Sequence, residues 1–190
     1  KMNRNTNYGK IGYKRPHYGR GSQGITHIDS GALEWMDSKG CKTLLDVGCG
    51  TGGQVQVALG MGWGAFGIDV DDTVHGDRNI ALIDLCVNPV IFHKPFDLVW
   101  SVETAEHIPE EHEDNFIKTL TSNSESYIIL TASMNDTNPS HVNCKPRDHW
   151  IGRIEKEGFN YDEKLYQELL KHSTMEKRFI KHTGMIFKRI

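Results

Sequence analysis

Apolar residues occur along this chain in two alternating patterns, short continuous runs and stretches with helical spacing. Continuous apolar runs bounded by turn residues indicate strands that are buried on both faces. These runs occupy 42–47, 64–69, 80–85, 96–102 and 127–132. Apolar residues three and four positions apart indicate helices, which we place at 29–40, 51–59, 109–120, 146–157 and 163–172. Two more short strands are predicted at 159–161 and 185–188.

The order of these elements predicts the fold class. Strands that alternate with helices are typical of a parallel sheet with helices on both faces, so we predict an α/β fold. We expect a single domain made of an N-terminal arm with a cap helix, a core, and a C-terminal part with a long loop and the last strands. These parts span 1–40, 41–132 and 133–190. Residues 1–28 show no apolar period and are predicted to be irregular.

Charge is distributed unevenly along the chain. The net charge is −3, but residues 1–28 hold six basic side chains and no acidic one, so the rest carries −9. An acidic body argues against a broad nucleic-acid-binding face, whereas the basic arm suits an anionic ligand. We therefore expect a small-molecule partner rather than a nucleic acid.

Other features of the composition predict the compartment. No apolar run is long enough for a transmembrane helix, and the first residues lack the apolar core of a signal peptide. The four cysteines contain no C-x-x-C pair, which favours free thiols in a reducing environment. We predict a cytoplasmic protein without a membrane partner, either a monomer or a homodimer.

A glycine-rich loop follows the first predicted strand, in the string LLDVGCGTGG (44–53). Gly48, Gly50 and Gly53 fit the G-x-G-x-x-G spacing of a dinucleotide site. Asp69 ends the second predicted strand, about twenty residues on, where an acidic side chain accepts hydrogen bonds from ribose hydroxyls. The pair of features predicts a pocket for an adenosine-type ribose.

The charge of Asp46 distinguishes between two cofactors. NAD places an anionic pyrophosphate at the helix N-terminus, and a carboxylate two residues before the first glycine would repel it. S-adenosylmethionine instead carries a sulfonium and an ammonium group, which Asp46 suits. A dehydrogenase is also disfavoured because the chain lacks a Tyr-x-x-x-Lys pair.

Four strings in order, LLDVGCGTGG, GIDV, LIDLCVNPV and FDLVWSVETAEHIP, resemble the motifs of a class I S-adenosylmethionine-dependent methyltransferase of the small broad-substrate, type 11-like group. The resemblance covers about residues 42–132 and is specific for the methyl donor rather than for the acceptor. It implies a three-layer sandwich with a Rossmann-like, doubly wound, mostly parallel seven-stranded sheet whose last strand is antiparallel. The product of the donor would be S-adenosylhomocysteine.

The resemblance also implies roles for individual residues. The methionine end of the donor would be lined by Asp46, Gly48, Cys49, Gly50 and Gly52. Asp69 would bind the ribose and Val70 would pack on the adenine. Asp84 and the amide of Leu85 would bind adenine nitrogens, and Ser101 and Val102 would lie beside the sulfonium.

Methyl transfer to oxygen benefits from a general base, and histidine titrates in the required range. His141, in the loop after the fifth predicted strand, and His107 are the candidates for this base. His141 has the alternative of an ordinary histidine in a surface loop.

The string ETAEH (103–107) raises the question of a metal. On a helical turn Glu103, Glu106 and His107 would share one face, with His141 as a fourth ligand. A magnesium ion there would chelate two neighbouring hydroxyls of an acceptor and lower their pKa. The string is similar to that of metal-using O-methyltransferases of quinone precursors and of RNA 3′ ends, but it also occurs in relatives without a metal. We therefore predict no metal site and keep these residues as alternative ligands.

Three functions remain open on the sequence. The first is O-methylation of a small hydroxylated acceptor such as a sugar or another metabolite. The second is methylation of an RNA end or a nucleotide with a divalent metal. The third is a module that binds S-adenosylmethionine without catalysis.

Overall fold

A computed structural model describes residues 26–70, 77–135 and 138–190 of the 190-residue chain. The helices are α1 (Ser30–Ser38), α2 (Gly53–Gly60), α3 (Glu113–Ser122), α4 (Arg147–Glu155), α5 (Glu163–His172) and α6 (Phe179–Thr183). The strands are β1 (Thr43–Val47), β2 (Gly64–Asp69), β3 (Ile80–Leu82), β4 (Phe96–Ser101), β5 (Ser124–Leu130), β6 (Phe159–Tyr161) and β7 (Met185–Arg189). Most of the predicted irregular arm lies outside the described residues.

The strands form one seven-stranded sheet in the order β3-β2-β1-β4-β5-β7-β6. The pairs from β3 to β5 are parallel, and β7 runs antiparallel to both β5 and β6. The strand order reverses between β1 and β4, and ligands of open α/β sheets bind at such a reversal. The predicted Rossmann-like sheet with an antiparallel last strand is confirmed.

Alternating side chains of the strands build two cores, one on each face of the sheet. Leu44, Leu98 and Ile129 pack with α1, α2 and α5, whereas the adjacent residues Leu45, Val99 and Ile128 pack with α3 and α4. The strands are apolar throughout because both of their faces are buried. The fold is therefore the predicted three-layer sandwich.

Several predicted boundaries differ from the structure. The strand predicted at 80–85 ends at Leu82, and a turn follows it, in which the Cys86 amide donates to Asp84 Oδ1 (2.8 Å). The helix predicted at 109–120 is a 3₁₀ turn (Glu110–His112) followed by α3. The strand predicted at 127–132 begins earlier and ends at Leu130. Helix α6 was not predicted.

Aspartate side chains cap the N-termini of helices α1 and α5. Asp29 accepts from the Ala32 amide (2.9 Å) at the start of α1, and Asp162 accepts from the Leu165 amide (2.9 Å) at the start of α5. Asp29 also accepts from the Thr174 amide (2.8 Å), which joins α1 to the end of α5.

Within the described residues, none of the helices has both the length and the apolar character of a transmembrane span.

Candidate functional site

A cavity of about 320 Å³ opens where the carboxyl ends of β1, β2 and β4 meet the following loops. This volume lies within the range of small-molecule sites, roughly 300–1,000 Å³. Its wall is made by the glycine loop, the ends of β2 and β4, and the segment around residue 140. Among the lining residues are Asp46, Gly48, Cys49, Gly50, Asp69, Val70, Asp84, Leu85, Val102, Glu103, Glu106, His107 and His141.

The glycine loop is held close to the fourth strand's loop. Gly48 has φ +79°, and a Cβ there would lie 2.1 Å from Oγ1 of Thr104. Only glycine meets both demands, because a side chain would be strained and would collide. Gly52, with φ +81°, forms the N-cap of α2 and is not a lining residue of the cavity.

The carboxylates of Asp46 and Asp69 both line the cavity and are near enough to interact. Asp46 is 4% exposed, and burial together with the nearby Asp69 raises its pKa well above the ordinary range. Asp69 Oδ2 accepts from the Gly50 amide at 2.7 Å, so the end of β2 is tied to the glycine loop. A cationic ligand between these groups would relieve the repulsion, whereas a pyrophosphate would increase it.

Of the remaining residues expected to bind the donor, all but Ser101 line the cavity. Val70, Asp84 and Leu85 line the cavity, with Asp84 held in its turn by the Cys86 amide. Val102 lines it from the end of β4. Ser101 is fully buried and donates its hydroxyl to the carbonyl oxygen of Val47 (2.8 Å), which joins β4 to β1.

The last three residues of the string ETAEH form a 3₁₀ turn, Ala105–His107, in the loop that follows β4. Glu103 precedes the turn with φ +53°, and its Oε1 accepts from the hydroxyl of Thr131 (2.8 Å). Glu106 is fully buried, and its carboxylate oxygens make no hydrogen bond of good geometry within the described residues, although Glu103 and the backbone of Ser133 lie beside them. Burial and the neighbouring Glu103 raise the pKa of Glu106 to about 8.

The two histidines expected at the site are each fixed by a backbone carbonyl. His107 Nδ1 lies 2.9 Å from the oxygen of Ser140, and His141 Nδ1 lies 2.6 Å from the oxygen of Asn135. A carbonyl can only accept, so in each neutral ring Nδ1 carries the proton and Nε2 carries the lone pair. Burial also lowers the pKa of His107, which favours the neutral ring.

These groups form a cluster with the donor set of a cation site. One ligand atom from each of Glu106, His107 and His141 lies within 4.8 Å of the others. Ligating histidines in proteins commonly donate their second ring nitrogen to a carbonyl, as both do here. The buried Glu106 carboxyl makes no well-formed hydrogen bond and has a raised pKa, and a bound cation would favour its ionised form, so the residues fit a divalent ion. Glu103 adjoins this cluster through Glu106.

The sequence did not single out several residues that shape the cavity. Thr104, in the loop after β4, lies close against Gly48. His27 packs edge to face on Phe179, with ring centroids 4.7 Å apart. Both rings line the cavity from elements far apart in the chain. The sequence could have indicated Trp100 as buried, because it is apolar and lies near the end of β4. That it lines this cavity follows only from the tertiary structure.

Solved structures with the same architecture are methyltransferases. The magnesium protoporphyrin IX methyltransferase of Synechocystis PCC 6803, solved with bound SAH, has a TM-score of 0.59 at 16% identity, covering 83% of this chain and 80% of that chain. A TehB-like SAM-dependent methyltransferase from Corynebacterium glutamicum has 0.59 at 13%, covering 97% and 93%. The methyltransferase domain of bacterial CtHen1-CN has 0.54 at 16%, covering 83% and 95%. No protein-family model matches the sequence.

The fold of this chain is that of the class I S-adenosylmethionine-dependent methyltransferases. The strand order, the antiparallel β7 and the cavity at the reversal between β1 and β4 all agree with that class. The fold leaves the acceptor open, because one architecture carries many reactions.

Proposed function

We propose that this protein transfers a methyl group from S-adenosylmethionine to an oxygen atom of an acceptor with two neighbouring hydroxyls, and that Glu103, Glu106, His107 and His141 hold a divalent cation beside the acceptor. The observation that carries the proposal is the buried Glu106 carboxylate, which makes no hydrogen bond of good geometry within the described residues and lies with two oriented imidazoles. This cluster and the carboxylates of Asp46 and Asp69 line one cavity.

The donor end of the cavity supports S-adenosylmethionine. Its sulfonium carries an activated methyl group, and its ammonium suits the buried carboxylate of Asp46. Asp69, at the end of β2, would accept from the ribose hydroxyls. Solved neighbours of the same fold contain SAM or SAH, which supports this choice.

The acceptor end supports a cation with mixed nitrogen and oxygen ligands. A bound divalent ion supplies a Lewis acid that lowers the pKa of a hydroxyl and orients a chelating acceptor. The two imidazoles favour a first-row transition ion over Mg²⁺, which prefers oxygen, and within that series the two carboxylates suit Mn²⁺. We therefore place Mn²⁺ before the magnesium considered from the sequence.

The residues of the cluster could orient the acceptor or accept its proton. Glu106 and the two imidazoles orient the acceptor toward the donor, and such alignment lowers a barrier by about 7–11 kcal/mol in favourable cases. The same imidazoles are the expected general bases, but a ring nitrogen that binds a cation cannot also accept a proton. His141 as a ligand and His141 as the base are thus exclusive mechanisms, and activity in a chelator separates them.

The experiment is a methyl-transfer assay with labelled S-adenosylmethionine on metal-free protein, with and without Mn²⁺. Catechol and a ribonucleoside supply neighbouring hydroxyls, and phenol and a 3′-deoxyribonucleoside supply the matched controls. We expect transfer to the diols only, and only with the cation. Transfer to phenol at an equal rate in EDTA would contradict the cation's role. Stabilisation by S-adenosylhomocysteine without transfer to any acceptor would favour a binding module.

The second candidate acceptor is the 3′ end of an RNA, whose terminal ribose is itself a neighbouring diol. The string ETAEH with His141 favours this candidate, because of its similarity to enzymes of RNA 3′ ends. Adding a short oligoribonucleotide to the same assay tests it. A preference for the oligonucleotide over its own terminal nucleoside, weakening with salt, would establish RNA as the acceptor.

A further inference from the structure

Beyond the four proposed ligands, a buried side-chain link runs from helix α3 to the segment that carries His141. We propose that Glu113 and Asn143 are positioning residues for the cation site: they fix residues 138–143 against the turn that carries Glu106 and His107. The inference rests on the proposed function, since it concerns the cation that the cluster would hold.

Glu113 begins α3 and is 2% exposed. Its Oε1 accepts from His149 Nε2 (2.8 Å) and from Arg153 Nη1, both on α4. Its Oε2 accepts from Asn143 Nδ2 at 3.0 Å. The carboxylate is therefore held by two side chains of α4 and directs its second oxygen to the loop.

Asn143 joins this carboxylate to the cluster through its backbone. The amides of Val142 and Asn143 both donate to the carbonyl oxygen of Glu106, at 2.8 and 3.0 Å. Asn143 is 3% exposed, and its Oδ1 has no hydrogen-bond partner in the described part of the chain. The side chain is thus oriented by the bond that Nδ2 donates to Glu113.

The position of this link sets the geometry of the cluster. His141 lies two residues before Asn143, and Ser140, whose carbonyl holds the His107 ring, lies three residues before it. A shift of the segment would therefore move one imidazole and remove the orientation of the other. Substitutions that disturb such supporting contacts commonly cost about 10- to 100-fold in metal affinity.

Asp114 provides a matched control for the charge network. It accepts from Nη2 of the same Arg153, but its side chain is 75% exposed and makes no contact with Asn143 among the described hydrogen bonds. Loss of Asp114 removes a partner of Arg153 without touching the segment. An effect shared by Asp114→Asn would therefore come from Arg153 rather than from positioning.

The test measures binding of Mn²⁺ alone to metal-free protein by electron paramagnetic resonance, with S-adenosylhomocysteine affinity and thermal unfolding measured in parallel. We expect Asn143→Ala to weaken Mn²⁺ binding about 10- to 100-fold, and to leave S-adenosylhomocysteine affinity unchanged. Asp114→Asn should bind Mn²⁺ as the wild type does. Glu113→Gln, which keeps the side-chain size, serves if Asn143→Ala does not fold, with a loss in the same direction.

Two results would overturn the inference, and they differ. Equal Mn²⁺ affinity in Asn143→Ala and the wild type, with only the melting temperature lowered, would show a purely structural link. Absence of Mn²⁺ binding in the wild type itself would contradict the proposed function, and the positioning role with it.

Discussion

The imidazole rings of His107 and His141 meet edge to face, with ring centroids 4.9 Å apart and planes inclined at 77°. One ring lies in the 3₁₀ turn after β4 and the other in the loop after β5. Parallel neighbouring strands bring their carboxyl ends to the same edge of a sheet, which is why these two loops converge.

Loss of His141 should impair the cation end of the cavity and leave the donor end unchanged. His141→Ala should abolish Mn²⁺ binding and reduce methyl transfer by at least about 100-fold, which is the scale of a lost ligand or base. Isothermal titration with S-adenosylhomocysteine should give the wild-type affinity, because the donor end is untouched. His182→Ala, an exposed histidine on α6, is the control. Wild-type turnover in His141→Ala would remove this residue from the mechanism.

Asp69 should govern donor affinity. Asp69→Asn keeps an oxygen for the Gly50 amide but loses the charged acceptor for the ribose hydroxyls. Hydrogen bonds to charged groups contribute about 1.5–3 kcal/mol, so the dissociation constant for S-adenosylhomocysteine should rise about 10- to 100-fold. Asp77→Asn, whose side chain bonds Gln56 outside the cavity, should leave it unchanged. An unaltered constant in Asp69→Asn would place the ribose elsewhere.

The raised pKa of Asp46 should make donor binding dependent on pH. The ammonium of S-adenosylhomocysteine favours the ionised carboxylate, so binding must displace a proton and affinity should rise with pH. Asp46→Asn should bind more weakly and without that slope. The control ligand is 5′-methylthioadenosine, which lacks the amino-acid end and should show no slope in either protein. A common slope for both ligands would assign the proton to another group.

Glu106 should make the metal-free protein less stable as pH rises. Its pKa is raised from an ordinary 4.5 to about 8 in the folded state, so the folded protein binds more protons between these values. The associated stability is present below the ordinary pKa and is lost as pH rises through the folded pKa, at up to about 1.4 kcal/mol per unit. Urea unfolding should show this decline in the wild type and a flatter profile in Glu106→Gln. Identical profiles would contradict the raised pKa of Glu106 in the folded protein.

The order of elements and the places of Gly48 and Asp69 at the strand ends could be predicted because their signals are local. A continuous apolar run such as Phe96–Ser101 predicts a buried strand on its own, and the run predicted there differs from β4 by one residue. Gly48 and Asp69 stand at fixed offsets from the ends of their strands, so their place follows from the strand assignment.

Tertiary contacts account for what the sequence could not predict. The requirement for glycine at position 48 comes from Thr104, a residue on another loop. Helix α6 has five residues and too little periodicity to be recognised, yet it brings Phe179 to the cavity. The hydroxyl of Ser101 donates to Val47 and does not line the cavity. The pairing of β4 with its neighbouring strands decides which way this side chain points, and the sequence does not reveal that pairing.

The central claim is that one cavity holds the methyl donor and a cation side by side. The most direct measurement is the NMR signal of S-adenosylmethionine labelled with ¹³C in its methyl group, recorded on the protein while Mn²⁺ is added. We expect strong paramagnetic broadening of the bound methyl signal at one equivalent of Mn²⁺, and loss of that broadening in His141→Ala. A sharp methyl signal in the wild type, with donor and Mn²⁺ both bound, would contradict it.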